Sequence, residues 1–270
     1  MTELLQALPA GAVILDLGCA AGSFHADRSA FLIVGLDIEP QPQHPAAFVQ
    51  GDAAMLPFAA ASFDVVISNH SLEHIQNLPR ALAEIARVLK PGGGLYIAVP
   101  DAGTISDRLY RWLGRGGGHI NAFRSARDLA RQVQQATGLP CTAIRTLCTS
   151  LACLNRRNRR FPAPRRLLLL GGGAEISLVL LTYAFRLLDR AFSTRLSVYG
   201  WAFYFGNIAV PDNLRAWTNV CVYCGAGHPS DWLLHDLKVV RRNFLLSRYG
   251  CPACGTLNLF TDDSRYGHLQ

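Results

Sequence analysis

Residues 13–22 read Val-Ile-Leu-Asp-Leu-Gly-Cys-Ala-Ala-Gly, an apolar strand ending in Asp16 that opens at once into the glycine-bearing turn Gly18-Cys19-Ala20-Ala21-Gly22. A strand that delivers its C-terminal end into a tight turn builds a nucleotide-type crevice in an open parallel sheet. A second apolar run, Leu32-Ile33-Val34-Gly35-Leu36, ends in another acid, Asp37. An acid at the tip of a second strand is placed to accept hydrogen bonds from two ribose hydroxyls. A third acid follows in Gly51-Asp52-Ala53, and Phe63-Asp64-Val65-Val66-Ile67-Ser68-Asn69 reads as the next buried strand.

The glycine turn alone fits several nucleotide-binding loops. No Gly-Lys-Ser/Thr follows it, which sets aside a phosphate-cradling loop, and the spacing does not match the Gly-x-Gly-x-x-Gly of dinucleotide folds. Further along, Leu78, Leu82, Ile85 and Leu89 recur at helical spacing, and Lys90-Pro91-Gly92-Gly93 stops that helix before the apolar run Leu95–Pro100. Ser125 is placed as the N-cap of a helix over 124–137 with Gly138 past its end, Thr142–Leu147 reads as a sixth strand, and Gly200–Gly206 as a seventh.

In this order of elements, residues 10–125 resemble the class I S-adenosylmethionine-dependent methyltransferases, in the small-molecule branch with the Leu-Asp-Leu-Gly-Cys turn. The resemblance implies a Rossmann-like α/β fold, doubly wound around a mostly parallel seven-stranded sheet. It places Asp16 near the methionine amino group, with Gly18, Ala20 and Gly22 letting the backbone approach the cofactor. Asp37 would hold the ribose, Ile38 would pack on the adenine, Asp52 beside Ala53 would accept from the adenine amino group, and Asn69 would lie at the crevice mouth. Ala20 stands where the family often has glycine. On the acceptor side the resemblance offers His119, in Gly-His-Ile-Asn-Ala-Phe, and His74, in Leu-Glu-His, as candidate bases; imidazole titrates in the range that such work needs.

Two matching knuckles, Cys221-Val222-Tyr223-Cys224-Gly225 and Cys251-Pro252-Ala253-Cys254-Gly255, are separated by 26 residues. This spacing supplies the four tetrahedral sulfur ligands of a structural zinc, with no open position for catalysis. Four of the eight cysteines in metal-type pairs, and no signal-like N-terminus after Met1, point to a reducing, cytoplasmic setting.

Charge is uneven. Residues 1–150 carry eleven basic and twelve acidic side chains, whereas 151–270 carry fifteen and seven, an excess of eight. Nine arginines fall within 156–195 against Glu175 and Asp189. Only Lys90 and Lys238 are lysines, so the arginines reflect a compositional bias and do not mark a nucleic-acid binder. A helix over 174–188, about 22 Å long at 1.5 Å per residue, is short of a roughly 30 Å hydrocarbon core. On it Thr182, Arg186, Asp189 and Arg190 share one polar stripe. It is read as a packed lid or as an interfacial element giving 156–190 peripheral contact with the inner face of a membrane.

The domain reading is therefore a methyltransferase core over 1–150, a basic and apolar helical insertion over 151–198, a last core strand and linker over 199–215, and a zinc ribbon over 216–270. The expected acceptor is a small molecule or a saccharide unit carried on a lipid or nucleotide. RNA or protein methylation with the ribbon as reader is one alternative, and a non-catalytic cofactor- or partner-binding protein is another.

Overall fold

Runs of five to seven residues rich in Val, Ile and Leu are what a strand covered on both faces of a parallel sheet requires. The computed structural model describes residues 4–5, 8–20, 22, 30–41, 47–113, 118–148, 175–208, 217–221, 227–229, 241–243, 246–252 and 254–260. The chain divides into two units, the first comprising Met1–Pro100, Ile120–Ile144 and Trp201–Asp212 and the second Asp101–His119, Arg145–Gly200 and Asn213–Gln270.

The first unit is built on β1 (Val13–Leu17), β2 (Leu32–Asp37), β3 (Ala47–Gln50), β4 (Phe63–Asn69) and β5 (Leu89–Pro100), with parts of β6 (Cys141–Cys148) and β7 (Val198–Gly206). Their order is β3-β2-β1-β4-β5-β7-β6. The first four neighbouring pairs are parallel. Asn207 N–H donates to Gly93 O while the Tyr96 and Tyr204 rings meet edge to face. Partners whose numbers rise on one strand and fall on the other make β7 antiparallel to β5. This is the mostly parallel, seven-stranded Rossmann-like sheet that the sequence implies.

Leu15, Leu17, Val66, Ile97, Val99, Phe203 and Phe205 fill its core. Helix α1 (Leu78–Val88) buries Leu78, Ala81, Leu82, Ile85 and Val88, and Asn77 caps it by accepting from Arg80 N–H at 3.2 Å. The helix stops at Val88, just before the predicted Lys90–Gly93 stop, but those four residues already belong to the strand. β5 starts at Leu89 opposite Phe63, and the register shifts before Val65 meets Gly94. Lys90 Nζ reaches both Asp64 oxygens at 2.8 and 2.9 Å, and a side chain at Gly94 would lie 2.3 Å from Ile208 Cγ1. Helix α3 (Ala126–Thr137) has the expected ends, with Ser125 Oγ accepting from Asp128 N–H and Gly138 left-handed at φ +70°. Helix α2 belongs to the other unit.

In the second unit, α2 (Ile105–Leu113) forms where the sequence reads only as polar and glycine-rich. Thr104 starts it, its Oγ1 accepting from Asp107 N–H at 3.2 Å. Thr146–Cys148 of β6 pair in parallel with β8 (Trp217–Val220), which pairs antiparallel with β9 (Gly227–Pro229). A separate antiparallel sheet holds β10 (Arg241–Asn243), β11 (Leu246–Gly250) and β12 (Leu257–Phe260). Helix α4 (Glu175–Phe192) lies beside β12, and its Leu178 and Val179 pack with Leu109 of α2. Residues 156–174, the basic part of the insertion, lie outside the described residues.

Candidate cofactor cradle and cysteine cluster

Parallel pairing brings the C-terminal ends of β1, β2 and β4 to one edge of the first unit's sheet. The turn after β1 is held there by its backbone, with Gly18 N–H and Cys19 N–H both donating to Leu36 O, at 2.7 and 3.1 Å. Gly18 has φ +67°, and a Cβ on it would stand 2.3 Å from Ser71 Cβ. Only glycine fits. Ser71, which spacing did not single out, also donates its hydroxyl to Leu17 O at 2.8 Å and shares a hydrogen bond with Ser68 Oγ.

Ala20 occupies the left-handed region at φ +43°, a conformation costing an alanine roughly 1–2 kcal/mol. Its N–H donates to Asp37 Oδ2 at 2.8 Å, which offsets that strain and explains how alanine is tolerated at this position. Asp37 Oδ1 accepts from Glu39 N–H at 3.0 Å. A carboxylate has about four acceptor sites, so each oxygen keeps one lone pair for a ligand hydroxyl. Gly22, at φ +102°, closes the turn by donating to Cys19 O at 2.7 Å.

Ile38 follows Asp37 with 66% of its surface exposed, an apolar side chain at the cradle's lip. Asp52 is exposed and starts the next turn, Oδ1 accepting from Ala54 N–H at 2.8 Å, with Ala53 half-buried beside it. Asp16 is buried at the end of β1. Burial, then the Asp16 and Asp37 carboxylates, push the Cys19 thiol up to about 12. The cradle is thus electronegative, as a ligand carrying a sulfonium and an ammonium requires. The exposed apolar lip and the charge both fit S-adenosylmethionine.

Asn69 ends β4 half-buried, and His70 turns the chain at φ +57°. The following one-turn 3-10 segment, Leu72–His74, is pinned by Asn121, whose Nδ2 donates to Leu72 O at 2.9 Å and to Ile75 O at 2.7 Å. Glu73 is buried with Oε1 3.8 Å from His70 Nδ1, and His74 is exposed.

His74 belongs to the first unit and His119 to the second. His119 Nδ1 is 3.1 Å from Asp107 Oδ1, Arg111 bonds the other Asp107 oxygen and donates to His119 O, and the Tyr110 ring lies 4.9 Å away. Burial alone would push the Asp107 carboxyl up, but hydrogen bonds from His119 and Arg111 outweigh it and hold the group below the usual carboxylate range. The carboxylate is therefore ionised and His119 Nδ1–H donates to it, which leaves Nε2 as the ring's other nitrogen. Asp107 was missed in the sequence because α2 itself was hidden.

A depressed folded-state pKa gives stability that is present above the unfolded value and lost as pH falls through the folded one. Asp107→Asn should cost roughly 1.5–3 kcal/mol near neutrality, the worth of hydrogen bonds to a charged group. Melting curves should show the gap to wild type closing below about pH 4, where free aspartate protonates. A gap that persists unchanged to pH 2 would contradict the assignment.

Three of the four predicted zinc ligands, Cys221, Cys251 and Cys254, have their sulfurs within 4.8 Å of one another; Cys224 lies outside the described residues. Cys221 Sγ and Cys254 Sγ are 3.6 Å apart, close to the roughly 3.8 Å edge of a tetrahedron with 2.3 Å Zn–S bonds. Gly255 (φ +75°) donates its N–H to Cys251 O at 2.7 Å, forming the tight return after the second pair. Asn258 Nδ2 donates to Cys221 Sγ at 3.4 Å, and His228 Nε2 lies 3.3 Å from Cys251 Sγ. Burial pushes His228 down to about 4, so this ring is neutral against the sulfur. The cluster fits a zinc ion.

Residues 1–143 match a family described as the methyltransferase domain, and the chain belongs to that family. The core is that of a class I S-adenosylmethionine-dependent methyltransferase. The chain is 36% identical over 155 residues to the biotin biosynthesis bifunctional protein BioHC of Cellvibrio japonicus, covering 52% of this chain and 31% of that protein. It is 29% identical over 188 residues to the malonyl-[acyl-carrier protein] O-methyltransferase of Methylococcus capsulatus, covering 59% and 68%. It spans about half the length of several other curated relatives it matches. Among solved structures, a protein of Anabaena variabilis described as a methyltransferase from an antibiotic biosynthesis pathway superposes with a TM-score of 0.50 at 18% identity, over 76% of this chain and 95% of that one.

Proposed function

We propose that this protein transfers the methyl group of S-adenosylmethionine to a small-molecule acceptor, or to a saccharide unit carried on a lipid or nucleotide. The observation that carries the reading is the electronegative cradle of Asp16, Gly18, Ala20, Gly22 and Asp37, with Ile38, Asp52, Ala53 and Asn69 around it. A relative named for methylating a carrier-linked malonyl group supports an acceptor presented on a carrier. When bound, the cofactor supplies an electrophilic methyl group on a sulfonium. The chain's own part is to align the acceptor and hold a proton. Asp107 fixes the His119 ring with Nδ1–H toward itself, so that Nε2 can take a proton from an acceptor hydroxyl or ammonium. His74 is the second candidate for that role. A structural zinc on Cys221, Cys224, Cys251 and Cys254 and a cytoplasmic location at the inner face of the membrane complete the reading.

The test uses methyl-labelled S-adenosylmethionine with separate acceptor pools: carrier-linked acyl groups, lipid-linked saccharides, nucleotide sugars, and RNA. Label should enter one of the first three. His119→Asn should lower turnover about 10²–10⁴-fold, the usual worth of a general base, with cofactor affinity unchanged. Label confined to RNA or to protein side chains would overturn the acceptor reading, and no cofactor binding would overturn the whole.

A further inference from the structure

The cysteine cluster of the second unit has two side-chain nitrogens seated against its sulfurs. Cys221 and Cys251 are at most 2% exposed, and the side chains that touch them, His228 and Asn258, are themselves buried, at 6% and 3%. His228 lies in β9, where it pairs with Asn219 of β8, two residues before Cys221. Its ring meets the Tyr249 ring edge to face, with centroids 5.9 Å apart, and presents Nε2 to Cys251 Sγ at 3.3 Å. Asn258 stands opposite Tyr249 in the pairing of β11 with β12. Its Nδ2 donates to Thr256 O at 2.8 Å, and that same carbonyl accepts from Cys251 N–H at 2.9 Å. A carbonyl can only accept, so the amide must turn its nitrogen this way. The second N–H of that nitrogen then meets Cys221 Sγ at 3.4 Å.

Zinc carries two positive charges, and the thiolates of Cys221, Cys251 and Cys254 alone outweigh it. Negative charge kept from water is costly unless polar hydrogens face it. We infer that His228 and Asn258 supply those hydrogens: each gives one N–H to a ligand sulfur, and together they tighten the hold on zinc and keep the bound thiolates from reacting with electrophiles. This role presupposes the zinc ion of the proposed function. Once zinc has displaced the thiol protons the sulfurs can only accept, so His228 carries its hydrogen on Nε2. The three sulfurs lie within 4.8 Å of one another in a group that does not take in the imidazole. His228 is thus the neighbour of one ligand, and not itself a ligand.

Full-length wild type, His228→Phe and Asn258→Leu, each loaded with zinc or with cobalt(II), test it. Both substitutions keep much of the side chain's bulk and remove its N–H. Each should weaken zinc binding about 10–100-fold, the usual effect of losing a ligand's outer partner. Zinc release driven by a thiol-alkylating agent, followed with a metal-binding dye, should speed up at least about tenfold, in line with that loss. In cobalt-loaded protein the sulfur-to-metal charge-transfer bands should move to lower energy, since a sulfur without its hydrogen bond gives up electron density more readily, while the d–d bands stay in place. His228→Gln, which restores an N–H donor of similar reach, should return the bands and the release rate toward wild type; packing alone would not produce that recovery. In wild type loaded with NMR-active cadmium, scalar coupling should appear between the metal and the side-chain N–H protons of His228 and Asn258, a measurement that stands even if a variant folds poorly. Absence of both couplings, or variants with wild-type bands and release rates, would overturn the inference. So would a shift of the d–d bands in His228→Phe, since His228 would then be a ligand. Wild type that binds no zinc would overturn the inference together with the zinc reading, which tells that failure apart from the others.

Discussion

Cys251→Ser should strip the second unit of its metal. Wild-type protein should carry one zinc per chain, and the variant should bind zinc at least about a hundredfold more weakly, since losing even a ligand's outer partner costs 10–100-fold. The reason lies in the size of what surrounds the cluster. Strands β8 to β12 are only three to five residues long. Short strands bury little apolar surface, and elements of this size ordinarily need a metal or a disulfide to hold. Metal binding and folding of that region should therefore be one event, and a chelator should lower the wild-type melting transition while leaving the variant's in place. Elemental analysis giving full zinc in the variant would reject Cys251 as a ligand.

The second large effect is expected at Asp37. On the proposed function, Asp37→Ala would remove the acceptors for two ribose hydroxyls; it also releases Ala20 N–H, bound to Oδ2 at 2.8 Å. Each hydrogen bond to a charged group is worth roughly 1.5–3 kcal/mol, so affinity for S-adenosylmethionine should fall about 10–150-fold or more. Titration calorimetry reads this directly. The protein should still fold, because Asp37 lies at a strand tip and not in the core. An unchanged dissociation constant would mean that the cofactor binds elsewhere.

Much of the first unit was legible because its signals are local. Strands β1, β2 and β4 are apolar runs with a polar residue at or next to the end, and Ser125 and Gly138 mark the ends of α3 by their own chemistry. The acids and glycines that the structure brings to the ends of β1 and β2 were legible for the same reason. What escaped depends on distant partners. Ser71 matters because its Cβ fills the space that a side chain at Gly18 would need, and no spacing rule links positions 53 residues apart. Helix α2 is masked by the glycines that flank it, and with it went Asp107. For α4 the periodicity marked the polar stripe correctly but could not say which side the protein would cover. The spacing of two complete cysteine pairs gives no reason to single out His228, which folding brings within 3.3 Å of Cys251 Sγ.

Cys19 gives the cradle one more property. A thiolate is the nucleophilic form of cysteine, and one placed beside a sulfonium methyl donor would consume it by methylating itself. Burial, and after it the Asp16 and Asp37 carboxylates, push the Cys19 thiol up to about 12, so that it stays a thiol at neutral pH. Burial is the larger cause, and the carboxylates that would draw in a cationic cofactor act in the same direction, so both keep the enzyme from spending its own reagent on itself. An alkylating agent at neutral pH should leave Cys19 unmodified in the folded protein and label it once the protein is unfolded.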